Sequence, residues 1–195
     1  MNEPKKISPR PTLAQIEQEI SRLESGREIK KSISDTVKNL LVIAAAAILL
    51  SNLLISVLTV NLSSMNPTLQ DGEVVIALKW LSVKPGEIIA FHYNNKILLK
   101  RVIAVAGDWV DISEDGTVSV NGAVLDEPYV IEKSLSECDI TLPYQVPDGS
   151  YFVMGDHRSV SLDSRMTDIG PISADDIVGR VVLRIWPMQR FGLPE

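Results

Sequence analysis

The sequence predicts a mainly β, antiparallel domain carried behind one N-terminal membrane-spanning helix, and three observations predict it. A single uncharged apolar run of about 20 residues lies in the first third of the chain, short β-branched runs fill the chain from Glu73 onward, and turn dipeptides separate those runs. The boundaries that follow are a tail over 1–38, a transmembrane helix over 39–60 and an extracytoplasmic β-domain over 61–195.

Within the tail, Leu13, Ile16, Ile20 and Leu23 recur at helical spacing among Glu17, Glu19, Arg22 and Glu24, which predicts a short amphipathic helix over Thr12 to Glu28. It carries no recognisable chemistry. The span, Leu40 to Val60, is interrupted only by Ser51, Asn52, Ser56 and Thr59. At about 1.5 Å per residue a helix of that length covers about 30 Å, the depth of a bilayer's hydrocarbon core. The run is too long, and starts too far into the chain, for a cleaved export signal.

Arg27, Lys30, Lys31 and Lys38 precede the span, whereas the first basic residue after it is Lys79, so the tail is expected in the cytoplasm and the rest outside. The charge partition agrees: the first 38 residues hold 8 basic and 6 acidic side chains, and residues 61–195 hold 11 and 19.

The strands are expected over Val74–Leu78, Ile88–Tyr93, Ile97–Ala106, Thr117–Val120 and Val178–Trp186. Asp71-Gly72, Asn94-Asn95, Asp115-Gly116, Asn121-Gly122 and Asp148-Gly149 supply the turns. Residues 128–149, with three prolines and Cys138, show no period and read as an excursion from the sheet.

Composition excludes several classes. A net charge of −6 disfavours a nucleic-acid partner, and the single cysteine excludes an intrachain disulfide. Only His92 and His157 are available as imidazole ligands, without paired spacing, so no metal and no cofactor are expected.

Three stretches carry chemistry. Ser63-Ser64-Met65-Asn66-Pro67-Thr68-Leu69 puts hydroxyls in a loop directly after the span. Leu98-Leu99-Lys100-Arg101-Val102-Ile103 sets two cations side by side on an apolar strand. Neighbouring strand residues face opposite ways, so one cation is expected to reach solvent and the other to enter apolar surroundings, where an amine loses its proton more readily. Such a lysine can take a proton from a serine. The third stretch, Gly155-Asp156-His157-Arg158 with Ser161-Leu162-Asp163-Ser164-Arg165, is dense in charge; Asp156, Arg158, Asp163 and Arg165 read as ion pairs holding a loop to the sheet.

In this order behind one span, the three stretches resemble the motifs of bacterial type I signal peptidases of the peptidase S26 family. Pro85-Gly86-Glu87-Ile88-Ile89-Ala90-Phe91 extends the resemblance, which covers most residues from 51 to 192. It implies the antiparallel β-fold shared with self-cleaving repressor peptidases, and a membrane-bound serine endopeptidase that removes signal peptides after a small-x-small site. Ser64 matches the nucleophile, Lys100 the general base and Ser161 the serine that orients the lysine. Asp156, Arg158, Asp163 and Arg165 match the salt-bridge scaffold, and Val60, Met65, Leu69 and Leu99 would line shallow substrate pockets. The implied partners are signal peptides of secreted preproteins and the lipid bilayer of a bacterial plasma membrane, close to the export channel. Lysine rather than histidine at position 100 marks the bacterial branch.

The chain departs from the family pattern at His157, where asparagine is usual, and at Ser159-Val160. Leu62 replaces a residue that in some members helps to complete the oxyanion hole, leaving backbone N–H groups, chiefly that of Ser64, to fill that role. Three other readings compete, one of them a Ser-His-Asp hydrolase using His157 or His92, which the sequence context disfavours. A self-cleaving repressor-type peptidase should lack the span, and a non-catalytic membrane-tethered β-domain that binds exported chains has no need to keep both Ser64 and Lys100.

Overall fold

The computed structural model describes residues 12–61 and 63–194, apart from the side chains of 23–25 and 52. It divides into two compact units, residues 1–50 and 51–195. The first is helical throughout its described length: α1 (Leu13–Leu54) is one unbroken helix of 42 residues, so the tail helix expected over Thr12–Glu28 and the apolar span are parts of a single element. Leu40, Leu41, Val42, Ile43, Ile48 and Leu49 are all exposed along it. With a mean hydropathy of 1.8 over its most apolar window, the helix is long and apolar enough to cross a membrane.

The helix ends sooner than the expected boundary at residue 60. Ile55–Thr59 is instead a strand, β1, paired antiparallel with β2 (Val74–Leu78) from Ile55 opposite Leu78 to Thr59 opposite Val74. The physical reason lies in the residues: Ile55, Val57 and Thr59 are β-branched, and a short apolar run is compatible with either state until an open sheet edge chooses between them. Lys79 N–H donates to the Leu54 carbonyl (3.0 Å), so the ladder begins where the helix stops.

The remaining strands are β3 (Ile88–Tyr93), β4 (Lys96–Val105), β5 (Trp109–Ile112), β6 (Val118–Val120), β7 (Ala123–Val124), β8 (Tyr144–Gln145), β9 (Ser150–Met154), β10 (Ile172–Ser173) and β11 (Ile177–Trp186). Seven form one antiparallel sheet in the order β1-β2-β11-β3-β4-β9-β10, and four form a second in the order β7-β6-β5-β8. The mainly antiparallel β class expected from the sequence is the observed one. Asn94 and Asn95, both at positive φ (45° and 60°), make the two-residue turn between β3 and β4, a conformation for which asparagine is well suited.

Strands β3 and β4 are covered on both faces. Ile88 joins an apolar cluster with Val60, Met65, Leu69, Val75, Ala77 and Val181, whereas its neighbour Ile89 joins Phe91, Val102, Val153 and Ile172. A third cluster, around Ile103, Val110, Val118, Val146, Phe152 and Met154, joins the small sheet to the large one. The excursion 128–149 lies over that cluster through Leu135, Ile140, Leu142 and Tyr144.

Candidate active site

Ser64 stands in the loop between β1 and β2. That loop is closed at its base by two bonds, from Val60 N to Glu73 O (2.8 Å) and from Gly72 N to Val60 O (2.9 Å). Within it Asn66 N donates to Ser63 O and Leu69 N to Met65 O, giving consecutive tight turns anchored by the buried side chains of Met65 and Leu69. The half-buried Ser64 hydroxyl is thereby held on a backbone that cannot readily shift.

Lys100, in the middle of β4, is 3% exposed, and its Nζ lies 2.6 Å from Ser64 Oγ. Burial pushes the amine down from its ordinary 10.5 to about 8; Asp163 opposes that effect, Arg165 reinforces it and Asp156 opposes it. When the amine is charged it donates to Ser64 Oγ. When it is neutral its lone pair can accept the hydroxyl proton across the same contact, which is the arrangement of a nucleophile and its base.

Arg101 corrects the expectation that one of the paired cations reaches solvent. It leaves β4 on the other side from Lys100 yet is only 5% exposed, because β4 is an inner strand whose residues 100–104 are buried on both sides. Its guanidinium forks onto Asp156 (2.9 and 2.7 Å), donates to Gly86 O (2.7 Å) and Thr68 Oγ1 (3.3 Å), and stacks 3.9 Å from the ring centre of Tyr129.

The four scaffold residues are all buried, but only Asp163 and Arg165 pair with each other (2.8 and 3.0 Å). Asp156 takes Arg101, and Arg158 takes Glu127 (2.5 and 3.3 Å) while donating to Gly155 O (3.0 Å). Arg165 also donates to the carbonyls of Ser134 (3.0 Å), Leu135 (2.8 Å) and Arg158 (2.9 Å). The excursion, with Glu127 at its entrance, therefore supplies the far half of the network. Sequence reasoning missed Glu127, whose one signal was an acidic pair, Asp126-Glu127, standing before Pro128.

This network packs the third motif against the loop that carries Ser64. His157 N–H donates to the Ser64 carbonyl (3.1 Å), and Gly155 N–H to Asp163 (3.0 Å). A Cβ at Gly155 would collide with Ser161 Oγ and with the Ser64 carbonyl, so the two loops touch through a residue with no side chain. Ser161 is buried beside that contact. Its Oγ makes no hydrogen bond among the described residues, to Lys100 or to any other group, and neither do Asn66 Oδ1 and His157 Nδ1.

Of the residues expected to line substrate pockets, Val60, Met65 and Leu69 are sealed inside one core cluster, and Leu99 is half-buried against it. In this position they pack the core beneath the loop. Leu62 lies outside the described residues.

A serine hydroxyl in contact with a buried amine of lowered pKa, set on an antiparallel sheet, is an arrangement able to carry serine hydrolase chemistry. The chain belongs to the family described as signal peptidase, peptidase S26, whose profile matches residues 33–186. It is 36% identical to signal peptidase IB of Staphylococcus aureus (strain COL) over 183 residues, covering 84% of this chain and 94% of that protein. It is 34% identical over 161 residues to signal peptidase I of Bacillus amyloliquefaciens, covering 77% and 86% of the two chains. A crystal structure of a signal peptidase I from Enterococcus faecalis is similar at 30% identity and a TM-score of 0.42, covering 51% of this chain and 96% of that one.

Proposed function

We propose that this chain is a membrane-anchored serine endopeptidase that removes signal peptides from exported preproteins, with Ser64 as nucleophile and Lys100 as general base. The 2.6 Å contact between Ser64 Oγ and a lysine whose pKa has fallen to about 8 carries the reading.

Neutral Lys100 removes the Ser64 proton as Oγ attacks the scissile carbonyl, and backbone N–H groups, chiefly that of Ser64, receive the oxyanion. The lysinium then protonates the departing amine, leaving the signal peptide's carboxyl end esterified to Ser64. Lys100, neutral again, takes a proton from the water that hydrolyses the ester. Ser161, a buried hydroxyl beside the Gly155 contact, is suited to hold the amine once the Ser64 hydroxyl has been consumed. The arginine–carboxylate pairs keep the loops in register.

The basic residues before the span support a cytoplasmic N-terminus and a β-domain outside the plasma membrane. Ser64 follows the helix end by ten residues, which suits a substrate whose cleavage point, after a small-x-small sequence, emerges from the bilayer near the export channel. The test is incubation of the detergent-solubilised protein with a preprotein bearing such a site, followed by mass measurement. Release of the signal peptide at the small-x-small bond is expected. An uncut preprotein would sink the reading and leave the tethered, non-catalytic domain in its place.

A further inference from the structure

The loop that carries Ser64 is gripped from behind by the end of the chain. After β11 a 3₁₀ turn (Met188–Arg190) folds back, and Arg184 and Gly192 close it with reciprocal backbone bonds (2.8 and 3.2 Å). Arg184 Nε donates to Arg190 O (2.6 Å), which brings the two guanidinium groups to the same place.

Both meet the buried carboxylate of Glu73: Arg190 Nη1 at Oε1 (2.5 Å) and Arg184 Nη1 at Oε2 (3.3 Å). Both also reach the nucleophile's loop. Arg184 Nη1 donates to Thr68 O (2.9 Å), while Arg190 Nη2 donates to Pro67 O (3.1 Å) and Thr68 O (3.4 Å). Glu73 Oε2 accepts from Gln70 N–H (3.1 Å) on the far side of the loop. Thr68 is thus held by its carbonyl from the C-terminal turn and by its hydroxyl from Arg101.

Fixing the carbonyls of Pro67 and Thr68 fixes two consecutive peptide planes. The turn closed by Leu69 N and Met65 O passes that constraint to the segment beginning at Ser64. A displacement of about 1 Å at a reacting group costs about 100-fold in rate, so a loop of tight turns gains from an external brace. Anchoring a C-terminus alone would need one cation for one carboxylate. Here two cations meet one carboxylate, and each also donates to the loop's backbone.

We infer that Arg184, Arg190 and Glu73 are positioning residues that set Ser64 against Lys100, so that turnover depends on the C-terminal turn. The inference rests on the Ser64–Lys100 reading above.

The test uses the full chain in detergent, with Arg190→Gln, Arg190→Lys and Glu73→Gln compared by steady-state cleavage of a preprotein, by pH profile and by amide hydrogen exchange over residues 64–70. Arg190→Gln should lower kcat about 10- to 100-fold with KM changed less than about three-fold, leave the alkaline limb where it was, and speed exchange in the loop. Arg190→Lys keeps the charge facing Glu73 but cannot fork onto two carbonyls, so it should recover only part of kcat. Should Glu73→Gln fail to fold, Arg190, whose side chain is partly exposed, still decides the matter. A kcat within about two-fold of wild type overturns the inference, even if thermal stability falls, because the turn would then be a structural anchor only. A wild-type protein that cuts no preprotein would instead sink the functional reading, and unchanged exchange in Arg190→Gln would then overturn the brace independently.

Discussion

Lys100 and the three arginines around it are all buried cations, but they are treated in opposite ways. Arg101, Arg158 and Arg165 each fork onto or straddle a carboxylate and place further donors on backbone carbonyls. Among the described residues the Lys100 amine has one hydrogen bond, to Ser64 Oγ. Burial without compensation drives a proton off, and burial with full pairing keeps it on. The domain thus holds its guanidinium groups as fixed struts and leaves one amine undersupplied, as the proposed base requires, and the chemical difference between Arg and Lys makes that division possible.

The contrast is broken most severely at the amine's own contact. Ser64→Ala and Lys100→Met should each lower cleavage at least about 1,000-fold, because nucleophile and base act as one unit, and circular dichroism should show both still folded. Residual activity near wild type in purified Ser64→Ala would point to another nucleophile.

Removing a strut's partner should be felt in stability. Asp156→Asn or Glu127→Gln leaves a buried guanidinium without its counter-charge, a change that costs about 3–5 kcal/mol and lowers the melting temperature by roughly 10 °C in a chain of this size. A shift of only a degree or two would show that the pairs are not essential to the scaffold.

Lys100→Met should do the reverse. The folded pKa of about 8 lies below the unfolded value, so between them the unfolded chain binds a proton that the native one has shed, and the native state is penalised. The penalty is full below pH 8, fades as pH rises toward about 10.4 and is gone above it. Replacing Lys100 should therefore stabilise the protein at pH 7, by on the order of 3 kcal/mol, with the gain vanishing in strongly alkaline buffer. For the same reason wild-type turnover should climb as pH approaches 8 and then level, and that limb should survive replacement of both His92 and His157.

The smallest effect is expected at His157. Its backbone N–H, which any residue but proline supplies, makes the bond to Ser64, so His157→Asn should retain at least about a tenth of turnover, against the 100-fold to 10,000-fold loss of a true general base. A defect as deep as that of Lys100→Met would move the base to histidine.

How much of this was legible follows from how far apart in the chain the partners lie. Ser64 and Lys100 stand in short linear motifs, and the structure brings them into contact. The hairpin asparagines were readable because asparagine tolerates positive φ. Glu127 with Arg158, and Glu73 with Arg190, join residues 31 and 117 positions apart, which no local pattern encodes. The surroundings of Arg101 were not legible because strand alternation gives direction and not surroundings: it says that Lys100 and Arg101 diverge, and only the sheet order and burial show that β4 is filled on both sides at that point. The early end of α1 has a similar cause, since an apolar run does not announce where a sheet edge will claim it.

The contact at Gly155 turns the usual scale of mutational severity upside down. Alanine, the mildest replacement on most surfaces, would add one methyl group where two loops already touch, wedging Ser161 away from the Ser64 backbone and levering the third motif off the sheet. A substitution can therefore disrupt the site at a position that contributes only backbone atoms to its bonds. Any survey of this chain that scores residues by their functional groups alone would pass over that position.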